Sequence, residues 1–219
     1  TDLLYIMFAR PEADSTGRPA TTRFDVSGVP QPMTTPGIAQ GLAALVTVSL
    51  LSGTPASGTD RLEKGRQTLA PFQAALQTAL KEGLAKGPVD AVDACRIRAP
   101  AIAREASGTT PDGEAVAVGR TSHKLRNPAN APRDWVRPLL AAYLGQPADR
   151  TPRVVELGDG GWGYVQPIVM QPLCLTCHGE AIAEPLRTRI NSLYPGDGAT
   201  GFTHGEFRGL FWAEFSPAR

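Results

Sequence analysis

Cys174-Leu175-Thr176-Cys177-His178 is the stretch from which this 219-residue chain is best read. It is a C-x-x-C-H, the pattern of a c-type haem attachment site. Two thiols at this spacing can each form a thioether with one vinyl group of a single haem. The histidine that follows reaches the iron from the same side. Cys174 and Cys177 are therefore read as covalent tethers and His178 as the proximal ligand. Gly179 is expected to let backbone lie close to the porphyrin edge. A zinc site would need a second ligand pair, and the chain offers only Cys95 and the distant His123 and His204. A thioredoxin-like pair would sit near a β-α-β pattern and needs no adjacent histidine.

The segments around the motif alternate in character. Downstream, residues 180–193 read as a helix with Pro185 early in it. Upstream, residues 153–157 and 162–169 read as paired strands, joined by the hairpin turn Gly158-Asp159-Gly160-Gly161. Farther upstream, residues 60–85 carry a helical period in Leu62, Leu69, Phe72, Leu76, Leu80 and Leu84. Asp60 is the expected cap, Gly87 the stop, and Pro71 predicts a kink or break. Residues 88–107 read as a second helix whose apolar face holds Val92, Cys95, Ala99 and Ile102, with Pro100 bending it. Residues 114–121 read as a strand and 132–144 as a short helix. Residues 207–215 read as a final strand with Phe207, Gly209, Phe211, Ala213 and Phe215 on one face. Helices first and antiparallel strands later predict an α+β domain.

Residues 1–58 differ from the rest. The stretch 10–36 is rich in Pro, Thr, Ser and Gly without a period, and residues 1–36 are expected to be disordered or a mis-assigned upstream extension, with Met33 as an alternative start. Residues 37–51 are free of charge but too short for a comfortable membrane span of ~20 residues. With Thr54 and Ala56 placed for a cut after Ala56, residues 37–58 have the shape of a signal peptide, although no basic residue precedes the apolar run closely. A short anchor or buried helix is the alternative. Signal peptide and anchor alike put residues 59–219 outside the cytoplasm, so a periplasmic or otherwise secreted location is expected. The net charge of +1 excludes an electrostatic case for nucleic acid or an acidic membrane surface, and leaves membrane contact only through an uncleaved anchor. Three cysteines less two tethers leave Cys95 as a lone thiol, a liability in an oxidising compartment.

Four stretches resemble the small c-type haem domains with a PAS-like fold, found as single secreted proteins and as the sensing ends of membrane histidine kinases. They are Ala94-Cys95-Arg96 with 99–103; residues 120–132; residues 167–179, which surround the motif and are the most specific; and Tyr194-Pro195 through Asp197, 199–202 and 205–209. The resemblance implies a central antiparallel sheet flanked by helices, with an N-terminal helical pair. It also implies that a cysteine of an N-terminal helix holds the far face of the iron, which here is Cys95.

From the residues alone, ligand and small buried hydrophobe have about equal claim on Cys95. Met170 is a familiar type of haem ligand, tied near the proximal edge by its place four residues before Cys174. His123 and His204 sit in polar surroundings. Arg120, Lys124, Arg126 and Arg208 are candidate partners for the haem propionates, Arg120 and Arg126 being preferred. One covalently attached haem c is thus expected. It suits a redox or gas sensor read by a signalling receptor, or a periplasmic electron carrier with a redox partner protein. A peroxidase would need an open iron position, which Cys95 would fill, so no enzymatic activity is expected.

Overall fold

The computed structural model describes residues 57–217. The segment 1–36 lies outside the described residues. So does 37–58 except for Ser57 and Gly58, which open the first helix. The remainder is an α+β domain around a five-stranded antiparallel sheet in the order β1-β2-β5-β4-β3. Its strands are β1 (Gly108–Thr109), β2 (Ala115–Thr121), β3 (Arg153–Glu156), β4 (Trp162–Val169) and β5 (Phe207–Ser216). The central strand is β5, laid between β2 and β4. The expected pair of strands before the motif is the β3-β4 hairpin, closed by a 3-10 turn at Gly158–Gly160.

Helix α1 spans Gly58–Lys86. Its cap is Ser57, not Asp60: the Ser57 hydroxyl accepts from the Asp60 N–H, while the Asp60 carboxylate accepts from the Ser57 N–H. Asp60 is thus the third residue of a capping box, a role that sequence spacing alone allows either residue to take. The helix also runs through Pro71 without a break. Leu69 and Phe72, buried on either side of that proline, hold the turn against the sheet by packing, which outweighs one missing hydrogen bond.

The second helical stretch is continuous from Pro88 to Glu105 but not uniform. It consists of α2 (Pro88–Asp93), a π-helical turn (Ala94–Arg98) and α3 (Ala99–Glu105). Pro100 has no N–H to donate, and its ring would crowd the Arg96 carbonyl one turn earlier. The widened turn, closed from the Ala99 N–H to the Ala94 carbonyl, relieves that crowding. The bend expected at Pro100 therefore takes the form of a π turn, and Cys95 lies inside it. Helix α4 (Arg137–Gly145) starts later than expected because Pro138 stands in its first turn and residues 133–136 form a separate turn.

The sheet has two differently dressed faces. Val116, Val118, Trp162, Tyr164, Ala213 and Phe215 pack with Leu69 and Phe72 of α1, and Ile102 of α3 adds to them. Trp162 and Phe215 stack face to face across the ladder at 3.7 Å. On the other face, Val165, Phe207 and Leu210 pack with Val136 and with Leu140 and Tyr143 of α4. Phe207 was expected beside Phe211 and Phe215. Instead the ladder slips at the end of β4, where Ile168 pairs with Gly209 and Val169 with Phe207, so Arg208 is bulged and Phe207 turns to the α4 face. Gly209 makes the bulge feasible. Its φ is +153°, and a Cβ there would stand 2.1 Å from the Thr121 carbonyl oxygen.

Candidate functional site

The motif itself is helical. Helix α5 (Pro172–His178) was not expected, being seven residues long and broken from its neighbours by Pro172 and Gly179. Its geometry puts Cys174, Cys177 and His178 on one face, at spacings of three and four residues. That face borders a cavity of about 630 Å³. The next helix, α6 (Glu184–Leu193), starts four residues later than expected, at the turn that contains Pro185. Gly179 is required by its own chain: a Cβ would lie 2.7 Å from the Leu175 carbonyl oxygen. The backbone here is stitched to a later loop, with Phe202 N–H donating to His178 O and Gly201 N–H to Gly179 O, both at 3.0 Å.

All six residues singled out from the sequence line this one cavity: Cys95, Cys174, Cys177, His178, Arg120 and Arg126. It opens where the α1-α3 layer leaves the sheet. Arg120 of β2, Gln166 and Ile168 of β4, and Phe211 of β5 continue the helix-covered sheet face into it. Leu76, Leu80 and Leu84 of α1 with Val92 of α2 form the apolar wall opposite. Of the competing distal residues, Met170 lines the cavity and is buried, whereas His123 and His204 are exposed and do not line it. Met170 is held by its backbone, its N–H donating to Glu206 O at 2.9 Å.

His178 is held as a neutral imidazole. Its Nδ1 lies 2.7 Å from the carbonyl oxygen of Ala199, which can only accept, so Nδ1 carries the proton and Nε2 keeps its lone pair. Burial, followed by the nearby charges of Arg126 and Arg208, pushes the imidazole pKa down to about 3. Burial also pushes the Cys177 thiol up, and a thiolate at Cys95 or Cys174 would push it further.

Three guanidinium groups surround the cavity. Arg126 is anchored: its Nη2 donates to Asp197 Oδ2 at 2.9 Å and to Cys177 O at 2.6 Å, while its buried Nε has no partner among the described residues. Arg208 donates to the Ser122 hydroxyl and to Lys124 O, and lies over the Phe202 ring. Burial, then repulsion from Arg120 and Arg126, lowers the Arg208 pKa to about 10. Arg120 makes no ion pair among the described residues. Lys124 points elsewhere in part, to Thr200 O and the Phe202 ring. Sequence reasoning missed Asp197 and the Ala199 carbonyl. Asp197 lies 71 residues from the arginine it binds, and no local pattern joins the two.

A model of the Tll0287-like family matches residues 56–216, so the chain belongs to that family. The resemblance read from the four stretches is borne out by this match. A search of solved structures finds the crystal structure of the cyanobacterial heme-protein Tll0287, with 22% sequence identity and a TM-score of 0.48, covering 67% of this chain and 93% of that one. No curated protein matches the chain.

Proposed function

We propose that this member of the Tll0287-like family is an extracytoplasmic haem c protein that works as a redox or gas sensor module. The family takes its name from a protein described as a heme-protein, and the residues of this chain fit such a group. The observation that carries the reading is the convergence on one cavity of the C-x-x-C-H face, a third cysteine sulfur from Cys95 and a cationic edge. The fit is chemical as well as spatial. One wall of the cavity is apolar, built from Leu76, Leu80, Leu84 and Val92. The imidazole is neutral, its Nε2 has no hydrogen-bond partner among the described residues, and the edge holds arginines able to fork onto carboxylates.

In this reading Cys174 and Cys177 would hold one haem through thioethers, and His178 would bind the iron through Nε2. Cys95 would supply a thiolate as a further ligand, and Arg120 and Arg126 would pair with the propionates. The haem supplies a one-electron iron couple. The protein sets its conditions: α1 and the sheet exclude water, Ala199 fixes the His178 ring, and Cys95 favours the oxidised state. With Cys95 and His178 both as ligands the iron would keep no open place for a substrate, so we infer no enzymatic activity.

The π turn around Cys95 favours sensing over plain electron transfer. Its irregular hydrogen-bond ladder is where a change at Cys95 could be absorbed and passed along α2 and α3. A signalling receptor would read the movement. The reading as a periplasmic electron carrier, with a redox partner protein, requires instead that both ligands persist through the redox cycle. Spectra of the secreted protein, oxidised, reduced and with nitric oxide, test the choice. Loss of thiolate ligation on reduction or with nitric oxide supports the sensor, and retention in all three states overturns it in favour of the carrier.

A further inference from the structure

We propose that the buried Arg126–Asp197 pair positions His178 through the Ala199 peptide and thereby tunes how strongly its Nε2 donates. The inference rests on the haem reading above and assigns a role to Asp197, which that reading does not use. Both side chains are almost fully buried, Arg126 at 9% and Asp197 at 4% exposure. An ion pair this deep is an uncertain source of stability, and its retention calls for a further reason.

The bonding supplies one. Arg126 Nη2 donates to Asp197 Oδ2 at 2.9 Å. The other oxygen, Oδ1, accepts from the Ala199 N–H at 2.8 Å. The carbonyl of the same residue accepts from His178 Nδ1 at 2.7 Å. The same Nη2 reaches Cys177 O at 2.6 Å, so one guanidinium grips the end of the helix that carries the motif and the loop that faces its histidine. A carboxylate and a carbonyl outside the ligand set orient an imidazole and raise its basicity. Here the carboxylate acts at one remove, because it holds the residue whose carbonyl accepts the imidazole proton.

The charges predict opposite signs. Asp197→Asn keeps an acceptor for the Ala199 N–H but leaves Arg126 uncompensated near the iron, which disfavours the ferric state. Arg126→Gln leaves a buried carboxylate, which favours it. In the haem-loaded full chain, Asp197→Asn is expected to shift the reduction equilibrium toward the reduced form by about tenfold, about 59 mV for a one-electron couple. Arg126→Gln is expected to shift it the other way. The double variant, with neither charge, is expected to return most of the way to the parent and to accumulate even where a single variant does not. The EPR g-values of the ferric form should move with the single variants and return in the double.

A coloured parent whose potential and g-values are unmoved by Asp197→Asn overturns this inference alone. So does a double variant displaced as far as Asp197→Asn in the same direction, because that is damage and not compensation. A parent without covalent haem overturns the underlying reading as well.

Discussion

Replacing Cys95 by Ala separates ligand from packing residue, because the two roles predict different magnitudes. The side chain is half-buried in the π turn. Deleting a fully buried methylene-sized group costs about 0.8 kcal/mol, so a half-buried sulfur is worth about 0.4. Alanine is the better helix former by up to about 0.7 kcal/mol, which offsets it. In the haem-free chain the substitution should therefore change stability by less than about 0.5 kcal/mol in urea denaturation. The haem-loaded protein should respond very differently. Axial ligand identity spreads haem potentials over about 0.8 V, and exchanging a thiolate for a neutral group moves the potential upward, here by at least about 60 mV. The absorption spectrum should change with it while the haem stays covalently bound. Met170→Leu is the control, because Met170 is buried in the same cavity and the swap conserves volume. It should leave spectrum and potential in place. An unchanged Cys95→Ala spectrum would falsify the ligand assignment, and a changed Met170→Leu spectrum would transfer it to Met170.

Serine at both Cys174 and Cys177 should abolish haem staining on a denaturing gel, and persistent stain would show that attachment does not run through these thiols. Gly209→Ala should destabilise the domain by about 3 kcal/mol, since it combines a positive φ with a Cβ set against the Thr121 carbonyl; a loss under about 1 kcal/mol in urea denaturation would show the bulge to be adaptable. Tyr143 gives a pH dependence. Burial pushes its phenol up to about 12, and its hydroxyl donates to Thr151 O. The unfolded chain ionises first, so this group's contribution is intact below about pH 10 and falls as pH rises toward 12, by about 1.4 kcal/mol at pH 11. Tyr143→Phe loses a hydrogen bond worth about 1 kcal/mol at pH 8, and should match or overtake the parent at pH 11. An equal gap between the two proteins at both pH values would contradict the assigned shift.

The parts of this fold that were legible in the sequence share a property: their signal is local. The β3-β4 hairpin is announced by consecutive glycines, and the face that α5 turns to the cavity by the spacing of Cys174, Cys177 and His178. The parts that were not legible depend on contacts between distant residues or on choices that local rules leave balanced. Ser57 and Asp60 both cap well, and the backbone uses both. Phe207 keeps the alternation of β5 on paper, yet the bulge at Arg208 turns it to the α4 face, because Gly209 must clear the Thr121 carbonyl. Helix α5 is too short to show a period. Asp197 lies in a Gly-rich loop that reads as a turn, and its buried partner comes from the other side of the sheet sequence.

The charge around the cavity explains why the arginines of that region matter as a set more than singly. Arg120, Arg126 and Arg208 come from β2, the loop after it, and β5, so the order of the sheet brings like charges together. Among the described residues, Asp197 is the carboxylate bonded to one of the three, and it is committed to Arg126. Repulsion from the other two helps hold the Arg208 pKa down. A group carrying two carboxylates would answer the excess beside Arg120 and Arg126, with Arg208 close by, and would add stability by binding the folded state alone. Tethering through Cys174 and Cys177 would then make that gain permanent. On this argument, neutralising Arg120 relieves the haem-free fold while weakening its hold on the haem edge, and so the cost of gathering these charges and the function they serve have one origin.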